Sequence, residues 1–181
     1  MRAKWLWVTG LAGLVAACGE GHAIFNVDVY SFIKGTGRDT TSYAVPPLLS
    51  DSASSTPQRV DLPGAGSSIV DSVLVNGRLD FQNQTGAGNI GLQLYIAADS
   101  LGTLSSSALA LTVPDVAVSG NGTVPDTIVG RFSSTVISLF AGKQLWFRFQ
   151  AKGSNPGATL LQGNAVLQAL RLTVVLNDKF F

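Results

Sequence analysis

The sequence predicts an all-β chain, a single antiparallel β-sandwich of about eight strands, jelly-roll-like or immunoglobulin-like. Three observations carry this expectation. Apolar and polar residues alternate in short segments, which is the period of a half-buried strand. Clusters of Gly, Ser, Asn and Pro separate those segments. Residues that favour helices are scarce: Glu20 is the only glutamate, and Asp, Glu, Lys and Arg together make up 13% of the chain, about half the usual share. Alternation gives each sheet one apolar face, so two sheets must pack together or one must close.

The segments follow in order. Phe25, Val27, Val29 and Ile33 share one parity across roughly 23–34. Residues 34–57 form the longest irregular stretch, with an edge strand near Ser42–Val45. A loop of such length is usually functional or disordered. Gln58–Leu62 is a short strand candidate. Next, Asn76-Gly77 is the kind of pair that makes two-residue hairpins. A turn there, however, would put Val73 and Val75 on the face of Arg78 and Asp80. A continuous strand aligns Ile69, Val73, Val75, Leu79 and Phe81 instead, with Gly77 as a kink or bulge. A turn at Gln84–Gly88 then leads into Ile90, Leu92, Leu94 and Ile96. Leu109, Leu111 and Val113 start a strand that continues through Val116 and Val118, and Thr127–Phe132 starts another. Val136–Phe140 fits a strand end or one helical turn. Leu145, Phe147, Phe149 and Ala151 alternate with Trp146, Arg148, Gln150 and Lys152. The last strand carries Val166, Leu170, Leu172, Val174 and Leu176, with Gln168 among them. On this pattern Gln150 is a replaceable outward residue; Gln168 is expected to be replaceable too unless it satisfies a buried partner, although it shares the parity of Val166 and Leu170. The terminal Phe180-Phe181 suggests an eight-stranded outer-membrane barrel as the alternative, but Lys179 and Asn177 break the apolar alternation such a barrel needs.

Before the first strand stands a leader. Arg2 and Lys4 precede the apolar run Trp5–Ala17, which is too short to span a bilayer and ends in small residues at the only cysteine, Cys18. Leu14-Val15-Ala16-Ala17-Cys18 resembles the lipobox of bacterial lipoproteins, with Val15 where Leu is commoner. The resemblance implies cleavage after Ala17 and diacylglycerol on the sulfur of Cys18. It further implies export and lipid anchoring to the cell envelope. Gly19, where Asp would signal inner-membrane retention in enteric bacteria, favours the outer membrane. The expected domains are a signal peptide at 1–17, a lipidated cysteine with a short tether at 18–22, and a β-sandwich at 23–181. With one cysteine no intramolecular disulfide can form.

The formal charge of +1 falls by two when Arg2 and Lys4 leave with the leader. A nearly neutral domain has no electrostatic reason to bind nucleic acid. Catalytic motifs are equally sparse. Gly86-Ala87-Gly88-Asn89-Ile90-Gly91 matches a dinucleotide fingerprint, but a strand, not a helix, is expected after it. Ser31-Phe32-Ile33-Lys34 matches the serine–lysine pattern of penicillin-binding proteins, yet it is expected in a strand and lacks the partner motifs. His22, the only histidine, lies in the expected tether, where a rigid catalytic shell is hard to build. With histidine and cysteine absent beyond it, no zinc set is available. Asp51, Asp61, Asp71, Asp99, Asp115 and Asp126 mostly adjoin turn residues, where turn hydrogen bonds account for them.

No catalytic residue, metal or cofactor is therefore expected. The expected role is a structural or protein-interaction module of the envelope, with an envelope protein as partner. The alternative is capture of a glycan or small ligand. For that alternative the candidate residues are Tyr95, Trp146 and Arg148, which could share an outward surface if their strands are neighbours. An exposed aromatic platform there would stack on a sugar ring.

Overall fold

The computed structural model describes residues 21–65 and 68–178, so the leader, Cys18 and the terminal Phe180-Phe181 lie outside the described residues. Ten strands run in chain order: β1 (Gly21–Asp28), β2 (Thr40–Val45), β3 (Ser50–Ser54), β4 (Gln58–Asp61), β5 (Ile69–Thr85), β6 (Ala87–Ala97), β7 (Leu109–Ser119), β8 (Gly122–Arg131), β9 (Gln144–Ser154) and β10 (Leu161–Asp178). Two short helices join them, α1 (Val29–Ile33) and α2 (Ser134–Ile137).

The pairing has a simple logic. β2 pairs β10, β3 and β4 pair β9, β5 pairs β8, and β6 pairs β7, all antiparallel. The first half of the chain thus matches the second half in reverse order, as one long two-stranded ribbon. The ribbon is rolled so that β10 also meets β5 and β9 also meets β6. Two sheets result: β1-β10-β5-β8 with β2 beside β10, and β3-β9-β6-β7 with β4 beside β9. This rolled ribbon is a jelly roll. The two sheets bury a shared core instead of closing into a barrel. Phe81 and Leu172 from the first sheet and Phe147 and Leu145 from the second are all within 1% of complete burial. Each such side chain contributes roughly 1.5–3 kcal/mol by leaving water.

Several expectations change. The alternation of the first segment ends at Asp28. Its carboxylate accepts from the Ser31 amide at 3.3 Å and caps α1. Val29 and Ile33 are buried from the helix, not from a strand. A spacing of four satisfies both periods, so parity alone could not separate them. The S-x-x-K serine accordingly sits in a helix, but its hydroxyl is tied to the Asp28 carbonyl at 2.7 Å. Within residues 34–57 the expected edge strand near Ser42–Val45 is present as β2, and β3 adds a second, so each sheet gains an edge strand from this stretch. Ser50–Ser54 is almost entirely small and exposed, so no apolar period announces it. The expected tether shrinks too, since Gly21 and His22 already pair with Asp178 and Asn177.

β5 is continuous, as the parity of Val73, Val75, Leu79 and Phe81 requires, and Gly77 stays in register. The bulge lies opposite, where Leu79 meets Leu167 and Arg78 meets Ala169, leaving Gln168 unpaired. A Cβ at Gly77 would run into the Ala169 carbonyl, which explains the glycine. The same bulge flips parity along β10. Leu161, Ala165 and Leu167 point inward before it and Leu170, Leu172, Val174 and Leu176 after it, so Val166 is only half-buried. A second irregularity between Val175 and Leu176 exposes Ile69 in the same way.

Candidate functional site

Tyr95 and Arg148 are register partners across β6 and β9, and Trp146 follows opposite Ala97. The structure therefore brings the three expected residues onto one outward face. It does not make them a stacking platform. Tyr95 is 7% and Arg148 6% exposed, and only Trp146 is half-buried. The guanidinium carbon of Arg148 lies 4.0 Å from the centroid of the Tyr95 ring and takes the place a sugar would need. Arg148 Nε donates to the Thr103 carbonyl at 2.8 Å, and Nη1 donates to Ser54 Oγ at 2.7 Å. Thr103 belongs to the β6–β7 connection, which folds over this face and also buries Ala108 against Tyr95 and Ala97. Asp99 holds that connection by accepting from the Gly102 amide at 2.7 Å. A cation over a desolvated ring contributes up to ~2 kcal/mol. These residues serve as a clamp on the connection.

Beside the clamp lies an open trough of about 340 Å³ lined by Ser50, Asp51, Ser52, Gln93, Gln150 and Lys152. Part of its lining is bonded into one network. The Tyr95 hydroxyl lies 3.0 Å from Gln93 Oε1 and 2.9 Å from Gln150 Oε1, and Gln150 Nε2 donates to Ser52 Oγ at 2.9 Å. Gln150 is thus a network member, not a free surface residue.

A second feature had no advance signal. The connections β2–β3, β5–β6, β7–β8 and β9–β10 all cross between the sheets at one end of the sandwich. Two asparagines, each 2% exposed, hold them together. Asn83 donates to the carbonyls of Gly86 at 3.0 Å and Gly120 at 2.6 Å, and accepts from the Tyr43 hydroxyl at 3.1 Å. Burial pushes the Tyr43 phenol up to about 12. The Asn155 side chain donates to the carbonyls of Val45 at 2.9 Å and Thr159 at 2.8 Å, while its backbone N–H donates to the Leu49 carbonyl at 2.9 Å. Gly86, at φ +74, makes the sharp step from β5 into β6. The glycine-rich match at 86–91 therefore opens a strand, as expected.

On this tied end Leu48, Leu49 and Leu160 are 76%, 57% and 39% exposed. Leu48 has φ +62, the only non-glycine residue with positive φ among those described. Left-handed backbone costs an L-residue roughly 1–2 kcal/mol. Among the described residues no group of three or more His, Cys, Asp or Glu side chains could hold a metal. No helix among them is long and apolar enough to cross a membrane.

No protein-family model and no curated protein matches the chain. Among solved structures, one of infectious bursal disease virus, Gx strain, aligns over 89% of this chain and 33% of its own, at 10% identity and a TM-score of 0.48. A crystal structure of the subviral particle of VP2 from the same virus aligns over 86% and 39%, at 10% identity and 0.45. TmCBM61, solved in complex with β-1,4-galactotriose, aligns over 82% and 86%, at 12% identity and 0.30. The chain thus spans about a third of the viral proteins it resembles in shape.

Proposed function

We propose that the chain is a bacterial envelope lipoprotein, held by lipid on Cys18, whose jelly roll is a non-catalytic protein-interaction module. The lipobox resemblance supports the anchor, and Gly19 supports the outer membrane as its site. The observation that carries the interaction role is the polarity of the fold. β1 begins at Gly21, paired with Asp178 at one end of β10, whereas the tied connections lie at the other end, beside Leu161. Cys18 stands three residues before β1, a reach of roughly 10 Å. A lipid there holds the β1 end at the bilayer and turns the tied end away from it. The exposed leucines of that end then meet not lipid but the apolar surface of another envelope protein. A leucine kept both strained and exposed on a rigid end suits insertion into a partner's pocket.

The test is photocrosslinking in the native bacterium. A crosslinker at Leu48 is expected to give a discrete protein adduct that Leu49→Ser weakens, while one at Val129, 70% exposed on the outer face of β8, gives none. Absence of an adduct from Leu48 contradicts the docking end. Continued fatty-acid labelling of Cys18→Ser contradicts the anchor.

A further inference from the structure

We infer that the outer face of the β1-β10-β5-β8 sheet carries a binding groove for a neutral, hydroxyl-rich ligand of the oligosaccharide class. This goes beyond the docking end and does not depend on it. It also places ligand capture on the sheet opposite to Tyr95, Trp146 and Arg148.

The groove encloses about 560 Å³ and is lined by Asn26, Asp28, Tyr30, Asn76, Arg171 and Thr173, with Ala169 in its floor. That size falls within the range of small-molecule sites, about 300–1,000 Å³. Register explains its composition. Asp28, Arg171 and Asn76 form one row across β1, β10 and β5, and Asn26 and Thr173 begin the next. Neighbours in a row stand about 5 Å apart, the scale of one pyranose ring. The wall comes from α1. By leaving β1 in a capped turn, the chain sends Val29 and Ile33 into the core and keeps Tyr30 half-buried at the groove. Lys34 Nζ lies 5.8 Å from the Tyr30 ring centroid. The bulge at Gln168 sits next to Ala169, and bulges are commonly found where a sheet surface is adapted to a site.

The chemistry of the lining selects the ligand. Thr173 Oγ1 donates to Asn26 Oδ1 at 2.8 Å, which leaves the Asn26 amide hydrogens available. Asp28 uses Oδ1 in capping α1, which leaves Oδ2. Asp28 and Arg171 are register partners but form no ion pair. Tyr30 Oη, the Asn76 amide and the Arg171 guanidinium bond to no other described residue. One carboxylate, one guanidinium, two amides and a tyrosine ring thus face a single cavity. The lining offers both donors and acceptors, which matches hydroxyl groups, each of which donates and accepts. Asp28 offsets the charge of Arg171, which suits a neutral ligand, and an apolar ligand would displace water from the polar lining without replacing its hydrogen bonds. The tyrosine ring offers an apolar face to the C–H side of a sugar.

The full-length chain, purified in detergent, is to be probed with an array of di- to tetrasaccharides of hexoses, N-acetylhexosamines and uronic acids, followed by calorimetry on the strongest binder. A neutral oligosaccharide is expected to bind. Tyr30→Ala should weaken it about ten-fold and Asn76→Ala several-fold, while Tyr30→Phe retains most of the affinity. Gln93→Ala, on the opposite sheet, should change nothing. Equal melting temperatures for Asn76→Ala and wild type separate lost binding from lost fold. Failure of every sugar to bind, binding of uronic acids alone, or binding that survives both Tyr30→Ala and Asn76→Ala overturns the proposal.

Discussion

The two outer faces of this sandwich are built from similar residues and use them differently. On the β3-β9-β6-β7 sheet the outward polar groups are bonded to one another: Arg148 to Thr103 and Ser54, Tyr95 to Gln93 and Gln150, Gln150 to Ser52. On the β1-β10-β5-β8 sheet Arg171, Asn76 and Tyr30 stand without such bonds around a groove. The same residue type, arginine at the centre of a sheet face, is 6% exposed in one case and open to solvent in the other. What differs is the connection above it. The β6–β7 connection folds back onto its face and gives Arg148 a buried carbonyl, whereas Arg171 stays exposed among the described residues, with Tyr30 of α1 at the side of its groove. Arg148 and its partners on one face therefore hold the fold together, whereas Arg171, Asn76 and Tyr30 on the other make no side-chain bond to a described residue, although Asn26 and Thr173 pair there, as do Asp80 and Gln168.

This contrast makes ordered predictions. The largest effect belongs beneath both faces: Phe147→Ala and Leu172→Ala should each cost about 2–5 kcal/mol in denaturant unfolding, because both side chains are fully buried. Losses below about 1 kcal/mol at both would contradict the shared core. Asn83→Ala should come next, at about 1–3 kcal/mol, since it removes the partner of the Gly120 carbonyl and of the Tyr43 hydroxyl, while the Gly86 carbonyl keeps the Gly120 N–H. A neutral result would show that the tied end is not held by this residue. Gln150→Ala should cost about 1 kcal/mol through Tyr95 and Ser52. Gln168→Ala, at a bulge with one exposed bond to Asp80, should stay within about 0.5 kcal/mol.

A pH prediction tests the tied end separately. The Tyr43 phenol is raised from 10.0 to about 12 by burial. The native state therefore holds its proton more tightly than the unfolded chain. That contribution is fully present below about pH 10 and is lost as pH rises towards 12. Tyr43→Phe should flatten the fall in stability across this window, and an unchanged slope would assign the fall to other groups.

Much of the fold was legible because burial imposes a period of two. Val73 to Phe81, Ile90 to Ile96 and Leu145 to Ala151 face inward as their alternation requires. Legibility failed where another constraint shared or interrupted that period. Val29 and Ile33 fit strand and helix alike, Gln168 resets the parity of β10, and Ser50–Ser54 pairs through its backbone with little apolar burial. The expected site was half legible. Parity placed Tyr95, Trp146 and Arg148 on one face, but parity says nothing about which loop covers it. Asn83 and Asn155 could not be found, because an asparagine beside a turn reads the same whether its amide is buried or solvated. The groove at Tyr30 depended on α1, the element the alternation concealed.

The most direct test of the contrast is to melt Arg148→Ala and Arg171→Ala side by side. Arg148→Ala removes two charge-assisted hydrogen bonds and a cation over a ring, and should cost about 2–4 kcal/mol. Arg171→Ala removes no such contact and should stay within about 0.5 kcal/mol of wild type. Equal losses at the two positions, or a larger loss at Arg171, would contradict the claim that one face is committed to the fold and the other left open for a ligand.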